Sequence, residues 1–154
     1  YPELEDLLIS MAPEFVKLKN PLLRKTIAKV ANISQAAAIG GLNVEQMVNQ
    51  FREKVGLESI EQIDDSGTKY NTSQPGWFET GTVVKVIDIR EMLNRGEQPV
   101  HEVLSSVKAL DENEILETIA PFILAPLIDK SLSLGYRHWL DRKQEGEYRV
   151  YFAK

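Results

Sequence analysis

Two histidines and no cysteine limit the chemistry open to this 154-residue chain. His101 stands in Pro99-Val100-His101-Glu102, a helix start by its proline, and His138 in the aromatic run Tyr136-Arg137-His138-Trp139-Leu140. Imidazole with carboxylate is a nitrogen–oxygen donor set of the kind that holds a divalent metal. His101, Glu102 and His138 are therefore the metal candidates, with Asp88 as a further carboxylate. Their spacing matches no established ligand motif, and the competing reading of His101 is a hydrogen-bonding residue in a first helical turn. Asp88-Ile89-Arg90 ends a β-branched run, and its alternation puts both charged groups on one face. An arginine there, beside the amides of the helix starting at Pro99, suits a small anion or carboxylate. The alternative is an Asp88–Arg90 or Arg90–Glu102 ion pair that pins the loop.

Without cysteine there is no disulfide, no thiolate metal site and no thiol nucleophile. The serines lack a nucleophile-elbow context, no glycine-rich phosphate loop follows a strand, and Glu112 and Glu114 read as solvated charge in a turn. A thiol-independent enzyme would have to work with Arg90 and His101. The net charge of −5 argues against a nucleic-acid surface. No apolar run approaches the roughly 18 residues of a membrane span, and no export signal is visible, so a cytoplasmic protein is expected. The chain opens at Tyr1 rather than Met, as a trimmed fragment would. Asn32-Ile33-Ser34 and Asn71-Thr72-Ser73 match the glycosylation sequon by chance.

The elements that position these residues divide in two. Residues 1–57 are helical by pattern. Leu4, Leu7, Leu8 and Met11 recur at helical spacing, and a short helix is expected after Pro13. Asn20-Pro21 caps a helix striped by Leu22, Leu23, Ile27 and Val30. Ser34 is expected to cap Gln35–Ile39, with Gly40-Gly41 as its stop. Ala36-Ala37-Ala38 beside those glycines implies close helix approach, with a backbone anion site at the Ser34 or Asn43 helix start as the sharper alternative. Asn43 caps the last helix, and Gly56 closes it. Residues 58–82 read as a linker, with turn chemistry at Asp64–Thr68 and Asn71–Gly76. Trp77 and Phe78 are too apolar to leave in water and should dock on one domain or bridge both.

Residues 83–154 alternate strand and helix. Val83–Ile89 is a strand and Arg90–Gln98 a loop. Pro99 opens a helix with Val103, Leu104, Val107 and Leu110 inside. Ile115–Ile119 is the second strand, and Pro121–Pro126 is irregular and apolar, either packed or a hydrophobic lip. A helix at Leu127–Leu134, a strand at Tyr136–Leu140, a turn at Glu145-Gly146 and a strand at Tyr148–Phe152 complete the order β-α-β-α-β-β. Two helices on one face of a four-stranded mixed sheet bury this pattern economically. The aromatic residues Tyr136, Trp139, Tyr148, Tyr151 and Phe152 should split between the two faces. An aromatic outer face would need cover from the N-terminal domain, a partner copy or Trp77-Phe78.

Two resemblances follow from particular residues. Asn20–Thr26, Ile33–Ala37 and Gly40–Val44 resemble a small helical bacterial domain, domain of unknown function 1858. Some of its relatives carry a cysteine pair suggesting redox work, which this chain lacks. Ile87–Arg90, Pro99–Glu102, Ala125–Leu127 and Gly135-Tyr136 resemble domain of unknown function 2249, similar in fold to TusA-like sulfur carriers. The resemblance lays their Cys-Pro-x-Pro motif on Gly96-Glu97-Gln98-Pro99, where only the last proline remains. It thereby removes persulfide chemistry from that corner, where Arg90, Gly96, Gln98 and His101 stand as the ligand candidates. Such domains accompany redox, nitric-oxide or iron–sulfur metabolism.

The expected architecture is α+β: an all-α N-terminal helical domain and a TusA-like two-layer sandwich. The expected role is that of a non-catalytic accessory or regulatory protein, with no obligate cofactor, binding a protein partner, a second copy or a small ligand. A metal- or anion-binding module at Arg90 and His101 is the alternative.

Overall fold

The computed structural model describes residues 2–27, 32–60, 70–144 and 146–154. Contacts divide the chain into two units, Tyr1–Lys69 and Tyr70–Lys154.

In the first unit, α1 (Glu3–Met11) carries Glu3, Glu5 and Asp6 in its first turn, where the helix dipole favours negative charge. A 3-10 helix, Pro13–Lys19, buries Phe15. Asn20 then starts α2 (Pro21–Ile27), its side chain accepting from the Leu22 amide at 3.0 Å. Val30, expected on the stripe of this helix, lies outside the described residues. The expected Ser34 cap is corrected to Asn32. Asn32 Oδ1 accepts from the Gln35 amide at 2.8 Å, and Gln35 Oε1 accepts from the Asn32 amide at 3.1 Å. This reciprocal box satisfies two orphan donors at once, which Ser34 could not do. The resulting α3 (Ile33–Gly40) closes on Gly41 at φ 64°. The close approach expected of the small residues is at Gly40, where a Cβ would lie 2.9 Å from the Phe15 ring. Asn43 caps α4 (Val44–Lys54), accepting from the Gln46 amide. Ala37, Val44 and Met47 form the core of this unit, with Leu8, Met11 and Phe51 packed around it.

Residues beyond α4 return to it. Asn49 accepts from the Ile60 amide at 2.8 Å and donates to the Ile60 carbonyl at 3.1 Å, and Arg52 donates to the Glu58 carbonyl at 2.6 Å. The turn expected at Asp64–Thr68 lies outside the described residues.

The second unit is a four-stranded sheet, β1 (Thr82–Asp88), β2 (Glu114–Ala120), β3 (Arg137–Gln144) and β4 (Glu147–Ala153). Its strands lie in the order β1-β2-β4-β3. The β1–β2 pair is parallel and the other two pairs are antiparallel. Leu116 and Thr118 alternate with Ile115 and Glu117, so β2 serves both faces. Two helices cover one face: α7 (Val100–Lys108) through Val103 and Val107, and α8 (Ala125–Ser133) through Leu127 and Ile128. Across them lie Leu116, Val150 and Phe152, all fully buried.

The opposite face is partly covered by α5 (Gly76–Thr80), inside the stretch read as linker. Trp77 and Phe78 pack there against Ile115, Trp139, Tyr151 and Ala153. Phe78 stands edge-on to Trp139 at 4.6 Å and to Tyr151 at 4.7 Å between ring centroids. The aromatic outer face is thus covered from within the chain.

Three stretches of the second unit are more regular than their sequence suggests. The expected loop Arg90–Gln98 contains α6 (Arg90–Asn94). Ile89 and Leu93, four residues apart and both buried, anchor this turn to the core. Helix α8 begins at Ala125 rather than Leu127, with Pro126 in its first turn, where a missing amide costs nothing. Phe122, Leu124 and Ala125 are buried, so the apolar segment packs and forms no lip. β3 continues past Leu140 through Asp141–Gln144, a polar stretch held by pairing with β4. Glu145 lies outside the described residues, and Gly146 has φ 78°.

Candidate functional site

Charged residues cross the face of the sheet that α5 leaves open. Strand alternation sets Glu147, Arg149 and Tyr151 of β4 on that face, beside Glu117 of β2 and Asp88 of β1. Arg149 donates to Glu117 at 2.7 Å and to Glu147 at 3.0 Å. Arg90 makes a two-pronged contact with Asp88, at 2.9 and 2.5 Å, and its far nitrogen faces Glu147 at 3.7 Å. The result is a ladder of alternating sign: Asp88, Arg90, Glu147, Arg149, Glu117. It is exposed at the Arg90 end and closed at the other, where the Glu117 side chain is only 11% accessible.

Each charge in the ladder is answered by another. Hydrogen bonds from Arg90 hold the Asp88 carboxyl below the usual carboxylate range. Hydrogen bonding to Glu147 holds Arg149 even more firmly charged than usual. Burial, then the nearby Glu117 carboxylate, pushes the Tyr151 hydroxyl up, while Arg149 pulls it the other way. A general acid or base needs its proton poised near working pH. These shifts move the groups away from that range.

The free edge of the same sheet is β1. Val83, Val84 and Val86 are 38%, 49% and 54% exposed in a strand of seven residues, among which only Ile87 is buried. The pairing with β2 slips between Val83 and Lys85, a bulge beside Val84. Lys85, the one charge in the middle of the strand, donates to Ser106 on α7 at 2.9 Å, so its ammonium is drawn towards the helical face.

The two histidines do not come together. His101 lies exposed in the first turn of α7, at the end of the sheet where β1 finishes. His138 is the second residue of β3, which runs parallel to β1, so it sits near the opposite end and on the far edge. Glu102 is exposed on α7 beside His101. Among the described residues, no three His, Cys, Asp or Glu side chains converge as a metal would require.

His138 is buried, and its Nε2 accepts the Asn71 amide at 2.9 Å. Its neighbours are Tyr70, edge-on to the imidazole at 5.9 Å, and Asp129 of α8, which accepts from the Tyr70 hydroxyl at 3.1 Å. Burial lowers the His138 pKa, with Asp129 acting against it. Burial, and then Asp129, raises the Tyr70 pKa.

The corner marked by Arg90, Gly96, Gln98 and His101 is occupied by its own backbone. Gly96 closes α6 at φ 75°, its amide donating to Leu93 O at 3.0 Å, and the Glu97 amide donates to Met92 O at 2.9 Å. Arg95 pairs with Glu97, Pro99 is buried, and Gln98 and His101 are exposed. The hydrogen bonds of Arg90 run to Asp88, the ion pair that the alternation allowed, rather than into this corner. In the first unit, a cavity of about 280 Å³ lies between Met11, Leu42 and Met47, rimmed by the neutral Ser10, Gln46 and Gln50.

Sequence reasoning missed the ladder and the His138 cluster. Glu117 was the legible signal for the first: a carboxylate in the apolar run Ile115–Ile119 must find a cation, and Glu147-Tyr148-Arg149 presents one at strand spacing. Nothing in the sequence joins Tyr70 and Asn71 to residues 129 and 138.

Residues 1–48 match the family described as a domain of unknown function (DUF1858). No curated protein matches the chain. No solved structure matches it either. Among the described residues, no helix is long and apolar enough to cross a membrane.

Proposed function

We propose that this chain is a non-catalytic accessory protein that binds an extended segment of a partner polypeptide along the free edge of β1. The observation that carries this is the exposure of Val84 and Val86 on a strand whose outer backbone groups have no sheet neighbour among the described residues. Edge strands are ordinarily guarded by charge, a bulge or cover, and the bulge of β1 lies at Val84, short of Lys85–Asp88. Here the one central charge, Lys85, is turned to Ser106. A partner strand would gain main-chain hydrogen bonds along the edge and apolar contacts with the two valines.

The bulge chooses between occupants. It leaves Lys85–Asp88 as the regular stretch. Pairing of two such stretches from two copies would bury far less than the roughly 1,200 Å² of a stable interface. A single short strand of a partner needs no more than that stretch, and its binding would be weak and reversible.

Recognition suits the rest of the chemistry. Arg90 is engaged by Asp88 and Glu147, which argues against an anion site there. We read the β-α-β-α-β-β order as TusA-like, and domains of that kind accompany redox and sulfur metabolism. Without a thiol, the contribution of this chain there would be regulatory binding.

A display library of random linear peptides, panned on the full chain, tests the reading. Enriched peptides should carry alternating β-branched residues. Their binding should be lost in Val84→Lys/Val86→Lys and retained in Val100→Lys, a substitution of comparable exposure on α7. No enrichment, or binding indifferent to Val86→Lys, overturns it.

A further inference from the structure

The opposite edge of the sheet, β3, has a cover of its own. Residues 70–72 lie along it as a strap. The Asn71 carbonyl accepts from the Leu140 amide at 2.8 Å, and the Thr72 carbonyl accepts from the Trp139 indole at 3.3 Å. The Asn71 amide donates to His138 Nε2, and the Tyr70 hydroxyl donates to Asp129. All four bonds join the strap to β3 or to α8 of the same unit.

One of the four depends on a protonation state. An imidazole nitrogen accepts a hydrogen bond only while its lone pair is free. The 2.9 Å bond therefore requires neutral His138 with its proton on Nδ1. An imidazolium would set an N–H against the Asn71 N–H. We propose that the strap is a pH-sensitive latch: protonation of His138 ejects the Asn71 amide, frees residues 70–72 and uncovers the β3 edge.

The groups around the ring bear this out. Asp129 faces it from α8 and Tyr70 from the strap, while β4 contributes Phe152 as its cross-strand partner. Among the described residues Asp129 is the carboxylate acting on the ring, and it is also the acceptor for Tyr70. An imidazolium would compete with Tyr70 for that carboxylate, so the Tyr70 and Asn71 anchors weaken together. Burial favours the neutral ring in the closed form, against the pull of Asp129.

The sign follows from linkage. A histidine whose folded pKa is lowered gives its full stabilisation above the unfolded value near 6.5. That stabilisation is lost as pH falls from there towards the folded value. Over that window the strap-opening constant rises by up to about tenfold per pH unit, and below it the constant levels off.

The test is amide hydrogen exchange at Asn71 and Leu140 in the full chain, corrected for intrinsic rates, from neutral pH down to about pH 5. Protection should fall at both amides over the same window, with the histidine nitrogen shifts reporting an Nδ1–H tautomer at neutral pH. In His138→Gln the amide oxygen can accept from Asn71 at any pH. Protection there should persist and lose its pH dependence, whereas Asp129→Asn should keep the dependence. PH-invariant protection in the parent chain, an Nε2–H tautomer, or an unchanged pH profile in His138→Gln would each overturn the latch.

Discussion

Replacing Phe78 with alanine should destabilise the second unit by about 3 kcal/mol. The ring stands against the stacked pair Trp139 and Tyr151, edge-on to both at under 5 Å, in a cluster that includes Ile115 and Ala153. Burial of a full phenylalanine side chain is worth about 1.5–3 kcal/mol, and Phe78 is half-buried, so the lower end applies. Each edge-to-face pair adds about 0.5–1.5 kcal/mol. Trp139 and Tyr151, stacked on each other at 4.8 Å, would gain solvent on the side that Phe78 now covers. The assay is urea unfolding followed by tryptophan fluorescence and near-ultraviolet circular dichroism, since both tryptophans belong to this cluster. A loss under about 0.5 kcal/mol, the size of an ordinary surface change, would refute the reasoning. It would mean that residues 70–82 are a tether resting on the sheet and no part of its core.

Gly81→Ala should cost about 1–3 kcal/mol in the same unfolding assay, because its Cβ would meet Ile115 Cδ1 at 2.6 Å and the Trp77 carbonyl oxygen at 3.0 Å. A neutral result would mean that α5 can lift without loss. Arg149→Met should cost about 2–4 kcal/mol by stranding the Glu117 carboxylate at 11% accessibility. The double variant Glu117→Leu/Arg149→Met should recover most of that, since an apolar pair needs no counter-charge. A double variant worse than the single would contradict the assignment of the loss to the stranded carboxylate.

The sequence carried local structure further than it carried placement. Asn20, Asn43 and Gly41 act as cap and stop residues because these devices depend on a few adjacent residues. Asn32 and Ser34 are both good caps by residue type, and only the reciprocal bond from Gln35 separates them. The strand and helix order of the second unit was legible from its alternation. The short helix at Arg90–Asn94 was hidden because five residues give too little periodicity, and Ile89 and Leu93 show their spacing only once both are known to be buried.

Placement depended on contacts far apart in sequence. Arg90 stands out in the sequence at the end of a strand, but its partner Glu147 lies 57 residues on and becomes its neighbour only through the strand order β1-β2-β4-β3. His101 and His138 looked like a pair because they are the two histidines of the chain. The topology sends one to the end of β1 and the other to the start of β3. The need to cover Trp77 and Phe78 was readable from their size, whereas the surface they cover was set by tertiary packing.

The β1 edge is tested most directly by amide exchange along Thr82–Asp88, in the full chain alone and with a peptide selected from the display library. Alternate amides of β1 should exchange freely in the unliganded chain and become protected when the peptide is added, with those of β3 unchanged. Full protection of β1 in the unliganded monomer, or peptide-induced protection that falls on α7 or β3 and spares β1, would contradict the account.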